Sequence, residues 1–228
     1  MVIAENIASF KKELPPEVTL VAVSKFHPAE SILEAYSAGQ RVFGENRPQE
    51  LSKKAPALPS DIEWHFLGHL QTNKLKMVLP YASLVESIDS LHLLEAVNQW
   101  GKDNSRVVNV LLELHVAAET TKQGFGEDEI LDILFRADSF KYIRFCGLMG
   151  MATNTPEEET VDADFARLED FFLYLRDLFP EYEDFKVLSM GMSSDWRIAL
   201  AHGSTSVRIG TAIFGERSAE CNNSSRSW

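Results

Sequence analysis

TLVAVSKFHPAESILEAYSAGQRVFGEN, residues 19–46, sets a strand, a helix and a second strand one after another. The apolar run Leu20-Val21-Ala22-Val23 within TLVAVSK, Thr19 to Lys25, reads as a buried strand. Pro28 suits the first turn of a helix carrying Ile32, Leu33 and Tyr36 and ending near Gly39. RVFGEN, from Arg41, begins the next strand. The rhythm continues with IEWHFLG from Ile62, LVESI from Leu84, RVVNVLLEL from Arg106, YIRFCGLMG from Tyr142, FKVLSMG from Phe185 and SVRIG from Ser206. Eight strand candidates separated by segments of helical period are the pattern of repeated βα units.

The helices are equally legible. A first one, Ile3 to Leu14, is closed by Pro15-Pro16. Val161, Phe165, Leu168, Phe172, Leu175 and Phe179 recur at spacings of four and three, giving one apolar stripe on a long helix that Pro180 ends. Thr155-Pro156 followed by Glu157 to Glu159 reads as its start, with acidic side chains favourable near the N-terminal dipole. The fold expected is α/β, a single (β/α)8 TIM barrel. An open doubly wound sheet would normally declare a phosphate loop after an early strand, and neither GxGxxG nor GxxxxGK[ST] occurs. Residues 1–217 form the barrel in this reading, and 218–228 a polar C-terminal tail.

The length of 228 residues, 45% of them apolar, supports a sizeable core without staples. Thirty-four acidic against 22 basic side chains give a formal net charge of -12, which disfavours nucleic acid and anionic membrane as partners. Cys146 and Cys221 alone rule out a disulfide scaffold and suit reduced thiols. Glu5 and Asn6 interrupt any signal-peptide core, and VVNVLLELHV from Val107 is too short and polar to span a bilayer. A cytoplasmic location is expected.

Barrel chemistry sits at the C-terminal ends of the strands. Lys25 ends the first strand there, and a partly desolvated lysine is inclined to the neutral form that attacks a carbonyl to give a Schiff base. A solvated lysine at a strand end is the competing reading, and position alone favours it. Asn46, after Gly44-Glu45, projects over the same rim and offers an uncharged donor, or else caps the following helix. His65 and His69 are four apart, but His65 lies in a strand with no HExxH, so a core histidine is the better reading and no metal site is expected. The loops after strands seven and eight often form a phosphate site in such barrels. Ser189 and Thr211 would add hydroxyls there, while Gly191 and Gly210 allow an anion close to the backbone. Arg208, two residues before Gly210, would point into the upper barrel. Only if the ligand carried a pyridine ring would Arg208 face its nitrogen and leave it unprotonated; its bland role is a buried ion pair with an upstream carboxylate.

In ordered succession, VAVSKFHP, GENRPQE, WHFLGHLQTNK, GLMGMAT, LSMGMSSDWRIAL and VRIGTAIFGER resemble the pyridoxal phosphate homeostasis (YggS/PROSC) family, itself similar to the N-terminal barrel of alanine racemase. The resemblance covers nearly the whole chain. It implies pyridoxal 5′-phosphate as cofactor, Lys25 as the Schiff-base lysine, and Ser189, Gly191, Gly210 and Thr211 as phosphate-binding positions. Arg208 matches the residue facing the pyridine nitrogen, Asn46 a pocket residue, and Lys122 in AETTKQG a lysine linked to cofactor exchange. Thr72 stands where serine is common, Trp196 where smaller residues are familiar, and Pro48 is accommodated in a helix first turn.

The resemblance implies a monomeric, non-catalytic protein that binds and buffers the cofactor, with small amines or amino acids as further partners. The enzyme alternative is a racemase or related amino acid enzyme, which needs an acid/base group on each face of the substrate. Tyr36, Tyr81, Tyr142, Tyr174 and Tyr182 all fall in segments that read as surface or packing positions, and a C-terminal domain of the alanine racemase kind is not expected. A scaffold without a ligand would explain the amphipathic helices but not the converging rim groups.

Overall fold

Each strand of the set is short and apolar because both of its faces are covered, one by barrel interior and one by helices. The computed structural model describes residues 2–119 and 123–216. Its strands are β1 (Thr19–Val23), β2 (Val42–Glu45), β3 (Glu63–Phe66), β4 (Ala82–Ile88), β5 (Val108–Glu113), β6 (Ile143–Met149), β7 (Val187–Ser189) and β8 (Ser206–Ile209). All pair in parallel in sequence order, and β1 closes on β8 with Thr19 opposite Ser206 and Ala22 opposite Ile209. The expected eight-stranded barrel is therefore the observed one, strand for strand.

Around it lie α1 (Val2–Glu13), α2 (Ala29–Ser37), α3 (Pro48–Lys54), α4 (Leu75–Val78), α5 (Leu91–Asp103), α6 (Glu127–Phe135), α7 (Glu158–Leu178), α8 (Trp196–Ala201) and α9 (Thr211–Phe214). Ser90 caps α5 by accepting the Leu93 N–H on its hydroxyl. In α7 the stripe Val161, Phe165, Leu168, Phe172 and Leu175 is buried, each large side chain contributing about 1.5–3 kcal/mol. Phe179 is buried at the C-cap. This helix begins at Glu158, later than Pro156, because the Thr155 hydroxyl accepts the Glu157 N–H and holds a local turn instead. Pro28 likewise falls one residue early, as the extended N-cap of α2. Pro48 occupies the first turn of α3 as expected.

Among the described residues no helix is long and apolar enough to cross a membrane. Lys122, Cys221 and the boundary expected at 217/218 lie outside the described residues.

Candidate functional site

The residue after β1 begins a tight turn. Ser24 O accepts the His27 N–H at 3.1 Å, and Phe26 between them has φ +67°. A third residue with positive φ, following a second residue with negative φ, marks a type II turn with Lys25 at its second position. Phenylalanine there costs about 1–2 kcal/mol relative to relaxed backbone, so the turn is held by its surroundings. The His27 ring stacks on Phe214 of α9 at 5.0 Å, tying this turn to the end of the barrel beyond β8.

A cavity of about 330 Å³ opens beside it. Its polar wall is made by Lys25, Asn46, Arg208, Gly210 and Thr211, with Ser193 and Ser194 from the loop after β7. Leu67, Met149, Met151 and Met192 supply the apolar side. Small-molecule sites combine such a lining with few polar groups, and this one lies at the strand ends where barrels place their chemistry.

Five of the seven predicted residues thus share one wall. Ser189 and Gly191 do not belong to it. Ser189 is fully buried, and its hydroxyl donates to Glu86 Oε2 at 2.5 Å while accepting from Arg208 Nη1 at 2.6 Å, so it has no hydrogen left for a phosphate. Gly191 has φ +94°, and a Cβ there would stand 2.7 Å from Ala199 Cβ. Its glycine is required for the turn into α8 and by the close packing of that helix.

Asn46 does not cap α3. Pro48 at the first helical position makes Arg47 the N-cap, one residue too late for the Asn46 side chain. Asn46 Oδ1 is instead buried with no hydrogen-bond partner among the described residues. A buried amide oxygen without a partner costs about 1–3 kcal/mol, a cost removed by a bound donor. Rotating the amide presents N–H groups to the same place, so the side chain serves either a donor or an acceptor. The backbone here is pressed against β3's exit: a Cβ on Gly68 would lie 2.0 Å from Asn46 O.

Beneath the cavity a polar chain crosses the barrel. His65 Nδ1 lies 2.6 Å from Glu86 Oε1, Glu86 Oε2 accepts from Ser189, and Arg208 donates to Ser189 and, at 2.9 Å, to Gly150 O. Arg208 Nη1 is 3.8 Å from Glu86 Oε2, the buried ion pair foreseen as its bland role. Burial opposes the charge on Glu86, yet its hydrogen bond and attraction to His65, with Arg208 and Ser189, bring the carboxyl below its ordinary value. Burial lowers Arg208 against the pull of Glu86, Glu113 and Asp195, though an arginine keeps its proton at neutral pH. Glu113, at the end of β5, is pushed up to about 7 by burial and then by Asp89. His65 is the core histidine expected, and His69 faces a different carboxylate, with Nδ1 2.9 Å from Asp89 Oδ2.

Sequence reasoning missed Glu86, Glu113, Ser193, Ser194 and the methionines. Glu86 was detectable as a lone carboxylate inside the apolar strand LVESI, because such a charge is buried only with partners. The serines follow Gly191-Met192 directly and carried no further mark.

Comparison with known proteins agrees with this architecture. Residues 2–218 match the family described as "Alanine racemase, N-terminal domain", which defines the class of barrel. The pyridoxal phosphate homeostasis protein of Schizosaccharomyces pombe is 40% identical over 207 residues, 89% of this chain and 86% of that one. PipY of Synechococcus elongatus PCC7942, solved without pyridoxal phosphate, superposes with TM-score 0.88 at 38% identity, covering 93% of this chain and 100% of PipY. PipY with pyridoxal phosphate bound gives TM-score 0.84 at 37% identity over the same shares. The chain belongs to the pyridoxal phosphate homeostasis protein family, within the alanine racemase N-terminal domain fold.

Proposed function

We propose that this chain holds pyridoxal 5′-phosphate in the 330 Å³ cavity as a Schiff base on Lys25, and so helps to set how much of the cofactor is free. The observation that carries this is the convergence of Lys25, Asn46, Arg208, Gly210 and Thr211 on one wall, from three separate parts of the barrel. The buried, partnerless Asn46 oxygen fits a ligand that brings polar atoms into the cavity.

The cofactor, when bound, supplies an aldehyde that a lysine amine retains with loss of water. Lys25 provides that amine from a turn of fixed geometry. Gly210 and Thr211 receive the phosphate with backbone N–H groups that lack partners inside α9, helped by the Ser193 and Ser194 hydroxyls. Ser189 and Gly191, the other phosphate positions that the resemblance implies, act indirectly: Ser189 orients Arg208, and Gly191 shapes the loop that carries the two serines. Asn46 hydrogen-bonds a ring substituent. Arg208 faces the ring nitrogen and, being unable to surrender its proton readily, keeps that nitrogen unprotonated.

That pairing weakens the ring as an electron sink and favours holding over turnover. None of the five tyrosines stands on the cavity wall, so no phenol is at hand as the second acid/base group of a racemase. Small amines or amino acids act as exchange partners that release the cofactor. The chain works as a cytoplasmic monomer. Incubation of the loaded protein with single L-amino acids, followed by chiral chromatography, tests the absence of turnover; cofactor-dependent appearance of D-enantiomer would make it an enzyme.

A further inference from the structure

The segment that carries Lys25 is clasped by a second lysine. Lys54, the last residue of α3, is nearly buried, with a side chain 11% exposed. Its ammonium donates to Ser24 O at 3.0 Å, to Glu45 Oε1 at 2.7 Å and to Glu50 Oε2 at 2.8 Å. A lysine has three hydrogens to give, and all three are spent here.

Two of these acceptors reach the backbone on either side of Lys25. Ser24 precedes it, and the Ser24 hydroxyl also donates to Glu45 Oε1 at 2.7 Å. Phe26 follows it, and its N–H donates to Glu50 Oε2 at 2.9 Å. Phe26 is the residue in the left-handed region, and the Arg47 guanidinium lies over its ring at 5.3 Å while reaching Glu50 at 3.8 Å. One buried ammonium and two carboxylates therefore hold both flanks of the turn in a conformation that phenylalanine does not prefer.

We infer that Lys54, with Glu45 and Glu50, is a positioning device that aims Lys25 into the cavity; it touches no ligand itself. The inference rests on the assignment of Lys25 as the Schiff-base lysine. A lysine that served only to stabilise the barrel would affect every kind of ligand binding alike. A positioning role affects bond formation at Lys25 more than recognition of phosphate and ring.

The test uses the full chain and two ligands. Pyridoxal 5′-phosphate is trapped with borohydride and the label on Lys25 is measured by peptide mapping. Pyridoxine 5′-phosphate, which has no aldehyde, reports recognition without the bond. In Lys54→Met the label formed at a fixed subsaturating dose falls by about tenfold, the size of one charge-assisted hydrogen bond lost from the turn. Binding of the alcohol changes by less than about twofold, and Lys54→Arg recovers part of the label. If Lys54→Met does not fold, Glu50→Gln takes its place with the same readouts, since it keeps an acceptor for Phe26 N–H but breaks the ion pair. Unchanged labelling, or an equal loss for both ligands, overturns the inference. A wild-type protein that takes no label on Lys25 overturns the Schiff-base assignment itself, and this inference with it.

Discussion

Glu113→Gln should stabilise this protein in alkaline solution and do nothing for it in acid. Glu113 is 7% exposed at the end of β5, with Asp89 as a like-charged neighbour and Arg208 as a weaker counter-charge. Its carboxyl is carried from 4.5 to about 7. The folded protein therefore binds a proton that the unfolded chain has already released between those two values. Where the native state binds more protons, stability falls as pH rises. The loss begins near the unfolded value, grows to about pH 7 and is complete above it, reaching about 3 kcal/mol at most. A neutral glutamine of the same shape avoids that loss. Relative to wild type, the variant gains about 1–3 kcal/mol at pH 8.5 and nothing at pH 4.5. For a chain of this size the gain raises the melting temperature by about 2–10 °C. Thermal melts of apo-protein across that pH range, followed by circular dichroism, measure it directly. A difference that is constant with pH, or largest in acid, would refute the placement of Glu113 as a buried carboxyl kept neutral by its surroundings.

Glu86 has the opposite sign. Its carboxyl lies below the ordinary range, so its stabilising contribution is present above the unfolded glutamate value of about 4.3 and fades as pH falls through the folded one. Glu86→Gln should cost about 3 kcal/mol at pH 7 in chemical denaturation, with the gap to wild type closing below about pH 4. Gly191→Ala forces a side chain onto a backbone at φ +94° and against Ala199, so it should lower the melting temperature by at least about 4 °C and weaken cofactor binding through displacement of α8. Burial pushes the Cys146 thiol up to about 11. In a Cys221→Ser background the folded protein should therefore react with a thiol reagent at pH 8 at least about tenfold more slowly than after unfolding.

The barrel was legible because each βα unit announces itself locally. LVAV, VVNVLLEL and SVRIG read as covered strands from their length, their β-branched residues and the turn residues around them, and the stripe along α7 has one period throughout. The rim residues Lys25, Asn46, Arg208, Gly210 and Thr211 followed from knowing which end of each strand faces the mouth. What stayed hidden depends on partners far apart in the chain. Ser189 looks like a free hydroxyl until Glu86, on β4 across the barrel, and Arg208, on the neighbouring β8, are brought to it. The raised Glu113 needs Asp89 beside it, and the left-handed Phe26 needs Glu50 and Arg47. Asn46 offered two local roles, and a single proline at position 48 decided against the cap.

The proposed function stands on the Schiff-base assignment of Lys25. It is tested most directly by the absorption spectrum of the purified protein with pyridoxal 5′-phosphate, followed by borohydride reduction and peptide mapping. The expected result is a visible Schiff-base band and a label on Lys25, both lost in Lys25→Ala. A band that persists in that variant, or a label confined to other lysines, would contradict it.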